Sequence, residues 1–438
     1  MRDKELILYR NFKHSDILRD MSSVTEELEG GAGNRDIKVL RICINDIVNR
    51  LLELAAGHGY RGNLWQMYLT YLLANNENAF TISAELRGNV QGSLNDAALH
   101  DCIIFKEMFD VDLELLRSKT GVESLDLITD YVGPDETGKM FNKRVRDRIC
   151  ELSVSLADAK DAEDFRDKIC AFYKEFGVGK FGLHKAFRVE HNKKDEVVIR
   201  PITNIAHVYL EDLVGYEAAK QKLIDNTEAF VEGRPANNCL LFGDAGTGKS
   251  SAVKGILNRY YDKGLRIIEM YKHQFRDIND VIAQLKVRNY RFIIYMDDLS
   301  FEDFEIEYKY LKAVIEGGLE KKPGNILIYA TSNRRHLIKE TWNDRDDVVV
   351  DNGIHSSDTM QEKLSLVYRF GETIYFGKPD KKEFQKIVKV LADRNDIDMP
   401  EDELLLEANR WELGHGGLSG RTAQQFIDHL LGTKQQQQ

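Results

Sequence analysis

The spacing of apolar residues divides the chain into two regions. From residue 1 to about 205, apolar positions recur every three or four residues, which is typical of amphipathic helices. The clearest helix is predicted over 37–55, with Asp36 as its N-cap and a buried face that includes Leu40, Ile44 and Leu51. Further helices are predicted at 64–73, 102–116 and 141–176. This half therefore predicts a mainly helical N-terminal domain over 1–205.

From about residue 206, short apolar runs alternate with helical stretches. The runs cover 239–242, 265–270, 292–296, 326–330 and 373–376, and most are apolar throughout. Such runs are expected of parallel strands whose two faces are both covered. After Pro379 only helices are predicted, at 380–394, 401–411 and 421–431. The pattern predicts an α/β domain with a parallel sheet at 206–377 and a small helical lid at 378–434.

Charge and composition narrow the classes of partner. The 438 residues carry 61 basic and 72 acidic side chains, a net charge of −11, which argues against a general nucleic-acid binder. A local basic patch, such as Arg334-Arg335-His336, stays compatible with that charge. No run of about 18 apolar residues predicts a membrane span, and the first residues lack the apolar core of a secretory signal. The five cysteines include no Cys-x-x-Cys pair, so the sequence predicts a reducing, cytoplasmic location without disulfides or zinc.

A glycine-rich segment carries the strongest chemical signal. It lies between a predicted strand and a predicted helix, and it fits the pattern G-x-x-x-x-G-K-[ST] of phosphate loops. Its glycines would let backbone N–H groups approach a polyphosphate, and the helix N-terminus would add positive potential. Lys249 would reach the β- and γ-phosphates, Ser250 would ligate Mg²⁺, and Ser251 completes the predicted nucleotide contacts. The segment reads Gly243-Asp244-Ala245-Gly246-Thr247-Gly248-Lys249-Ser250.

Polar residues end two of the predicted strands. The run 292–296 is followed by Asp297 and Asp298, and the run 326–330 is followed by Thr331, Ser332 and Asn333. We expect Asp297 to hold Mg²⁺, directly or through water, and Asp298 to orient or deprotonate an attacking water. The Asn333 amide could hydrogen-bond the γ-phosphate or that water. These residues predict a site for phosphoryl chemistry on a bound polyphosphate.

Together, these motifs resemble the AAA+ ATPases over about residues 206–432. The resemblance implies that Asn333 is the first sensor and that Arg421, in Gly417-Leu418-Ser419-Gly420-Arg421, is the second sensor in the lid. It also implies that Arg369, in 366–371, is an arginine finger that reaches the nucleotide of a neighbouring subunit. One departure is Asp298, because the second acidic residue of this family is usually glutamate.

The same resemblance implies where adenine would bind. Asp212-Leu213-Val214-Gly215-Tyr216 is similar to the segment that packs against adenine, so Leu213, Val214 and Tyr216 are predicted base contacts. More closely, the chain resembles an uncharacterised bacterial AAA+ family known only as ATP-binding. The residues that carry this closer resemblance are 235–238, 297–302 and 331–337.

The resemblance implies an Mg²⁺-dependent ATPase that works as a homo-oligomer on an unidentified protein or protein–nucleic-acid client. Two other interpretations stay open. One is a nucleotide-dependent switch or loader-like binding module with little turnover, which the short Asp298 and the basic residues 334–336 favour slightly. The other is a small-molecule kinase, for which no acceptor motif is present.

Overall fold

The computed structural model describes residues 2–29, 37–89, 91–133, 143–203, 205, 208–301, 307–316, 323–333 and 366–434. The chain divides into two compact units, Met1–His184 and Lys185–Gln438. Within the described ranges, no helix has both the length and the apolar character needed to cross a membrane. The predicted N-cap Asp36 and the basic residues 334–336 lie outside the described residues.

The first unit is helical. Its helices are α1 (Ser15–Glu29), α2 (Ile37–His58), α3 (Leu64–Asn75), α4 (Ala79–Arg87), α5 (Ser93–Phe109), α6 (Leu113–Thr120), α7 (Asp126–Thr129), α8 (Lys143–Ala157), α9 (Ala162–Phe176) and α10 (Gly179–Leu183). Large aromatic side chains fill the core, among them Trp65, whose indole N–H donates to the Met108 carbonyl at 2.7 Å. The Asp101 carboxylate is fully buried and accepts backbone N–H groups of Ile7, Leu8 and Tyr9, which anchors the N-terminal segment to α5.

The helix predicted over 102–116 is in fact two helices. Helix α5 ends at Phe109 and α6 begins at Leu113. The Asp112 carboxylate accepts the backbone N–H groups of Glu114 and Leu115, so it caps a new helix N-terminus. An apolar spacing that continues across the break concealed this cap.

The second unit is built on a sheet of seven described strands. In chain order they are β1 (Ala186–His191), β2 (Val197–Pro201), β3 (Cys239–Gly243), β4 (Leu265–Glu269), β5 (Arg291–Met296), β6 (Ile326–Ser332) and β7 (Glu372–Phe376). Their order across the sheet is β2-β1-β4-β5-β6-β3-β7. All neighbours run parallel except β1 and β2, which form an antiparallel hairpin. The five predicted strands, β3 to β7, are all present.

The first unit was predicted to end at residue 205, but it ends at residue 184, because β1 and β2 belong to the sheet of the second unit. Strand β1 pairs in parallel with β4, with Ala186 opposite Ile267 and Phe187 opposite Ile268. The sequence of β1 alternates apolar residues with Arg188 and Glu190, because its outward positions are polar. Such a strand contains no wholly apolar run, so the criterion used to predict the other strands does not detect it.

Helices α11 (Glu217–Val231) and α12 (Lys249–Tyr260) pack on the sheet through a shared apolar core. Two further helices, α13 (Ile278–Leu285) and α14 (Glu307–Glu316), follow β4 and β5. The lid contains α15 (Lys381–Arg394), α16 (Glu401–Gly414) and α17 (Gly420–Lys434), which enclose a core of their own around Phe384 and Phe426. A capping box of Asp380 and Glu383 starts α15, the helix predicted over 380–394. The predicted fold class, an α/β phosphate-loop sheet with a helical lid and a helical N-terminal region, is confirmed.

Candidate functional site

A cavity of about 640 Å³ lies in the second unit, at the carboxyl ends of β3, β5 and β6. One part of its wall, here called the polar end, consists of residues 245–251 with Asp297, Asp298, Thr331 and Asn333. The opposite part, here called the apolar end, consists of Leu213, Val214, Tyr216, Ile387 and Leu391. Arg421 and Gln424 of the lid also line the cavity.

Two glycines fix the path of the loop after β3. Gly243 has φ 139°, and a Cβ there would lie 2.0 Å from the Phe376 carbonyl oxygen of β7. Gly248 has φ 89°, and a Cβ there would lie 2.2 Å from Leu213 Cδ1. No other residue type fits either position without movement of the neighbours. The loop is thus held close to both β7 and the apolar end.

Lys249 is the first residue of α12, and its side chain folds back under the loop. Its ammonium group donates to the carbonyl oxygens of Gly243 (2.9 Å) and Asp244 (2.6 Å) and to Asn333 Oδ1 (3.0 Å). Burial lowers the pKa of Lys249, although the carboxylates of Asp244, Asp298 and Asp297 oppose that effect. Gly243 and Asp244 therefore serve the site through their carbonyl groups, and they do not line the cavity itself.

The rest of the loop is ordered by its own polar groups. The Thr247 hydroxyl donates to the Asp244 carbonyl at 2.8 Å, and the Asp244 carboxylate accepts the Lys378 backbone N–H at 3.0 Å. Ala245 and Ser251 contribute to the cavity wall, on either side of the helix start. Of the predicted loop contacts, residues 245–251 thus surround one concave surface.

Asp297 follows β5 and receives three hydroxyl groups on one carboxylate oxygen. Ser250 Oγ donates to Asp297 Oδ1 at 2.7 Å, and the hydroxyls of Tyr295 and Thr331 donate to the same oxygen at 2.6 Å each. Burial alone would raise the pKa of Asp297, but these hydrogen bonds outweigh it and the pKa is lowered. Asp297 is thereby held as a carboxylate, with Oδ1 oriented by its neighbours.

Asp298 lies beside it in a left-handed backbone conformation, with φ 50°. Its backbone N–H donates to Thr331 Oγ1 at 2.9 Å, and its carboxylate accepts Asn333 Nδ2 at 2.7 Å. Because Asn333 also accepts from Lys249, its amide links the loop after β3 to the acidic pair after β5. The strand ends of β3, β5 and β6 therefore form one hydrogen-bonded network.

The lid contacts the loop at the start of α17. The Arg421 backbone N–H donates to the Gly246 carbonyl at 3.2 Å, and Ser419 Oγ accepts the Thr422 N–H at 3.1 Å to cap the helix. A Cβ at Gly246 would come within 3.0 Å of Ser419 Oγ. The start of α17 therefore lies against the loop, and Arg421 lines the cavity there.

Arg369 occupies a different place. It lies three residues before β7, whose first residue, Glu372, pairs with Cys239 at the start of β3. The phosphate loop follows the other end of β3, and the length of the strand, about 13 Å, lies between the two ends. Arg369 does not line the cavity of its own chain.

Sequence reasoning did not single out several residues that shape the site. Thr331 bonds to both Asp297 and Asp298, and Tyr295 supports Asp297 from two positions earlier on the same strand face. The i, i+2 spacing of Tyr295 and Asp297 could have predicted this contact, because residues at that spacing lie on the same face of a strand. Ile387 and Leu391 gave no signal, because their spacing is that of any buried helix face.

The donor set suits a magnesium ion and a polyphosphate. Among the described residues, no cluster of three or more His, Cys, Asp or Glu side chains could hold a metal alone. Ser250 and Asp297 offer two oxygen ligands next to the loop, and Mg²⁺ commonly takes one or two protein oxygens, with water and phosphate completing the shell. The glycine positions leave the loop backbone close to the space where phosphates would lie.

The sequence model of one family, described as "Protein of unknown function (DUF815)", matches residues 182–434. No curated protein matches the chain. Among solved structures, a RuvB variant from Thermotoga maritima is 16% identical with a TM-score of 0.36, and the match covers 50% of this chain and 63% of that one. The FIGL-1 AAA domain in complex with ADP is 16% identical with a TM-score of 0.37, and that match covers 53% of this chain and 76% of that domain. This chain thus spans less than two thirds of the RuvB protein, and neither likeness supports a conclusion about activity.

Proposed function

The chain belongs to the DUF815 family of proteins of unknown function, and we propose that it is an AAA+ ATPase that binds ATP with Mg²⁺ and hydrolyses it. One observation carries the proposal. The phosphate loop, the acidic pair and Asn333 follow three different strands, and direct hydrogen bonds join them into one network. A glycine-rich turn with a structural role alone would not need an adjoining carboxylate pair.

In this proposal the triphosphate lies along residues 243–251, and the base lies against Leu213, Val214 and Tyr216 at the apolar end. Lys249 leaves its carbonyl partners to reach the β- and γ-phosphates. Ser250 and Asp297 would hold Mg²⁺, which offsets the negative charge of the phosphate oxygens when it is bound. The Thr331 and Tyr295 hydroxyls keep Asp297 turned toward Ser250.

The hydrolytic roles follow from the same network. Asp298 orients or deprotonates the attacking water, and Asn333 hydrogen-bonds that water or the γ-phosphate from the neighbouring strand end. Arg421 approaches the phosphates from the lid and stabilises their charge. Its place in the first turn of α17 is unfavourable for a cation, and a phosphate partner offsets that cost.

The position of Arg369 is the reason to propose a homo-oligomer. Because it lies at the amino end of β7, away from its own cavity, it would act on the nucleotide of a neighbouring subunit. The complete site then exists only between copies of the chain in a homo-oligomer. The helical N-terminal unit would hold an unidentified protein client in the cytoplasm, and nucleotide-driven motion of lid and subunits would act on that client.

The decisive experiment mixes two inactive variants. Lys249→Ala should lose nucleotide binding but keep its finger, and Arg369→Ala should bind nucleotide but lack the finger. In an equal mixture, about a quarter of the interfaces pair an intact loop with an intact finger. Phosphate release by the mixture, above the sum of the two separate variants, supports a shared site.

Arg234→Ala is the matched control for charge, because Arg234 is an exposed arginine of the same unit that pairs with Glu232. It should leave phosphate release and the mass measured by light scattering with ATP unchanged. Normal turnover by Lys249→Ala alone would refute the ATP site. Full activity of Arg369→Ala alone, in a monomer, would refute the shared site and leave the binding site intact.

A switch with little turnover is the second candidate. The observation that favours it is the short Asp298 side chain, whose carboxylate is already bonded to Asn333 at 2.7 Å. Under this candidate, ATP should bind and dissociate faster than phosphate is released in a single-turnover experiment. Salt-dependent DNA binding would favour a loader-like module, and phosphate release only with an added acceptor would favour a kinase.

A further inference from the structure

The loop that forms the apolar end has little regular structure of its own. It runs from a single 3₁₀ turn, Leu210–Asp212, to the start of α11 at Glu217. Gly215 and Tyr216 both have positive φ, at 83° and 59°, so the backbone here is held in an uncommon conformation. Contacts from outside the loop must therefore fix its shape.

Two cations supply those contacts, and both bind backbone carbonyl groups. Arg394 donates to the carbonyl oxygens of Glu211 at 2.7 Å and Asp212 at 3.1 Å. Lys220, which is 8% exposed, donates to the Leu213 carbonyl at 2.8 Å. Three consecutive carbonyl groups are thus occupied by charged donors, one from the lid and one from α11.

Arg394 belongs to the same helix face as the apolar wall. Ile387, Leu391 and Arg394 are spaced i, i+4 and i+7 on α15, so they form one stripe. Ile387 and Leu391 line the cavity. Arg394 donates hydrogen bonds to the loop that forms the opposite side of the apolar end. The position of α15 and the shape of the loop are consequently linked through one guanidinium group.

We infer that Arg394 is a positioning residue that couples occupation of the apolar end by the nucleotide base to the position of the lid. The inference rests on the proposed function. A base that fits between the loop and α15 favours the arrangement in which Arg394 bonds to both carbonyls. The lid is then tied at two points, by Arg394 beside the base and by Arg421 N–H at Gly246 beside the phosphates.

Under this inference, the contribution of Arg394 to ligand affinity depends on the presence of the base, whereas the contribution of the phosphate contacts does not. Loss of Arg394 removes the tie at the apolar end and leaves the polar end intact. The affinity for ATP should therefore fall, whereas the affinity for inorganic tripolyphosphate, which has no base, should not.

The experiment measures the dissociation constants of ATP and of tripolyphosphate, each with Mg²⁺, by calorimetry on the full chain. For Arg394→Ala we expect about tenfold weaker ATP binding and no more than about a twofold change for tripolyphosphate. Arg394→Lys should fall between the wild type and Arg394→Ala, because a lysine can bond to one carbonyl but not fork between two.

Arg259→Ala is the matched control. Arg259 faces the Glu211 side chain at 3.5 Å, so it lies at the same loop without holding a backbone carbonyl. We expect both dissociation constants to stay within about twofold of the wild type. An equal loss of ATP affinity in Arg259→Ala would show that charge, and not the carbonyl bonds, is responsible.

Several outcomes would overturn the inference. Unchanged ATP affinity in both Arg394 variants would do so, as would equal losses for ATP and tripolyphosphate, since a general disruption of folding would affect both ligands. If the wild type binds neither ligand, the proposed function is wrong and this inference falls with it. Binding of tripolyphosphate but not ATP by the wild type would keep the phosphate site and reject the base site.

Discussion

At the polar end of the cavity nearly every contact is a hydrogen bond that requires a particular residue type, whereas the apolar end is walled by side chains that others could replace. Lys249 and Asp297, together with Gly243 just before the polar end, each meet a geometric or electrostatic demand that few residues satisfy. Leu391 only needs to be apolar and of suitable size. The difference teaches that the two ends should respond to mutation in different ways: substitutions at the polar end should be costly unless they keep the hydrogen-bonding group.

The largest effect is expected from Gly243→Ala. The new Cβ would meet the Phe376 carbonyl oxygen at 2.0 Å, and φ 139° is unfavourable for alanine, so β3 and β7 must separate locally. We expect the free energy of unfolding to fall by at least about 3 kcal/mol, measured by urea denaturation.

Gly264→Ala separates the clash from the backbone strain. Gly264 also has a positive φ, 90°, but a Cβ there meets nothing within 4 Å. We expect the free energy of unfolding of Gly264→Ala to fall by about 1 kcal/mol. Equal losses for the two variants would mean that the contact with β7 is not what demands glycine at 243.

The next effect is expected at Thr331, which supports the acidic pair without belonging to it. Thr331→Val removes the hydroxyl that donates to Asp297 and accepts from Asp298 N–H. We expect kcat for ATP hydrolysis to fall about 10- to 100-fold, with nucleotide affinity in the absence of Mg²⁺ little changed.

Thr331→Ser keeps the hydroxyl and should retain activity to within about threefold of the wild type. Phosphate-release assays and equilibrium binding measure the two quantities separately. Equal loss of affinity and turnover in Thr331→Val would point to a collapse of the strand end instead of a misplaced carboxylate.

The same contrast between the two ends explains what the sequence could predict. The polar end and the glycine before it follow from residue types at fixed spacing, so Gly243 to Ser250, Asp297 and Asn333 could be predicted to lie at one edge of the sheet. The support from Thr331 could not, because it depends on the register that sets β6 beside both β3 and β5. Arg394 is similar: its bonds reach from the lid to a loop more than 180 positions earlier, and no local pattern marks them.

The fold shows a parallel limit. Strands β3, β5 and β6 were predicted because burial on both faces leaves wholly apolar runs. Strand β1 was missed because its outward positions, Arg188 and Glu190, are charged. Helix α5 was joined to α6 in the prediction because apolar periodicity does not record the capping bonds of Asp112. In each case the structure depends on a tertiary or capping contact, and the spacing of apolar residues carries no information about such contacts.

A smaller effect is expected at the apolar end. Leu391→Ala trims the wall of the base site, and we expect KM for ATP to rise about three- to tenfold with kcat little changed. Leu391→Met should be nearly neutral, because it preserves volume and apolar character. Leu406→Ala, on an exposed face of α16, is the control in the lid. A drop in kcat as large as that of Thr331→Val would remove the distinction between the two ends.

The smallest effect concerns the stability of the protein without nucleotide. Burial lowers the pKa of Lys249 below its ordinary value of 10.5, so its charge is less favourable in the folded chain than in the unfolded chain. Between the lowered pKa and 10.5 the unfolded chain binds more protons, and the stability contributed by Lys249 therefore rises with pH. The free energy of unfolding of the wild type should rise relative to that of Lys249→Met as the pH is raised from neutral toward 10.5. Lys222→Met, at an exposed position of α11, is the control variant measured alongside. A wild-type advantage that shrinks toward alkaline pH would mean that the polar end stabilises the lysine charge even before phosphate arrives.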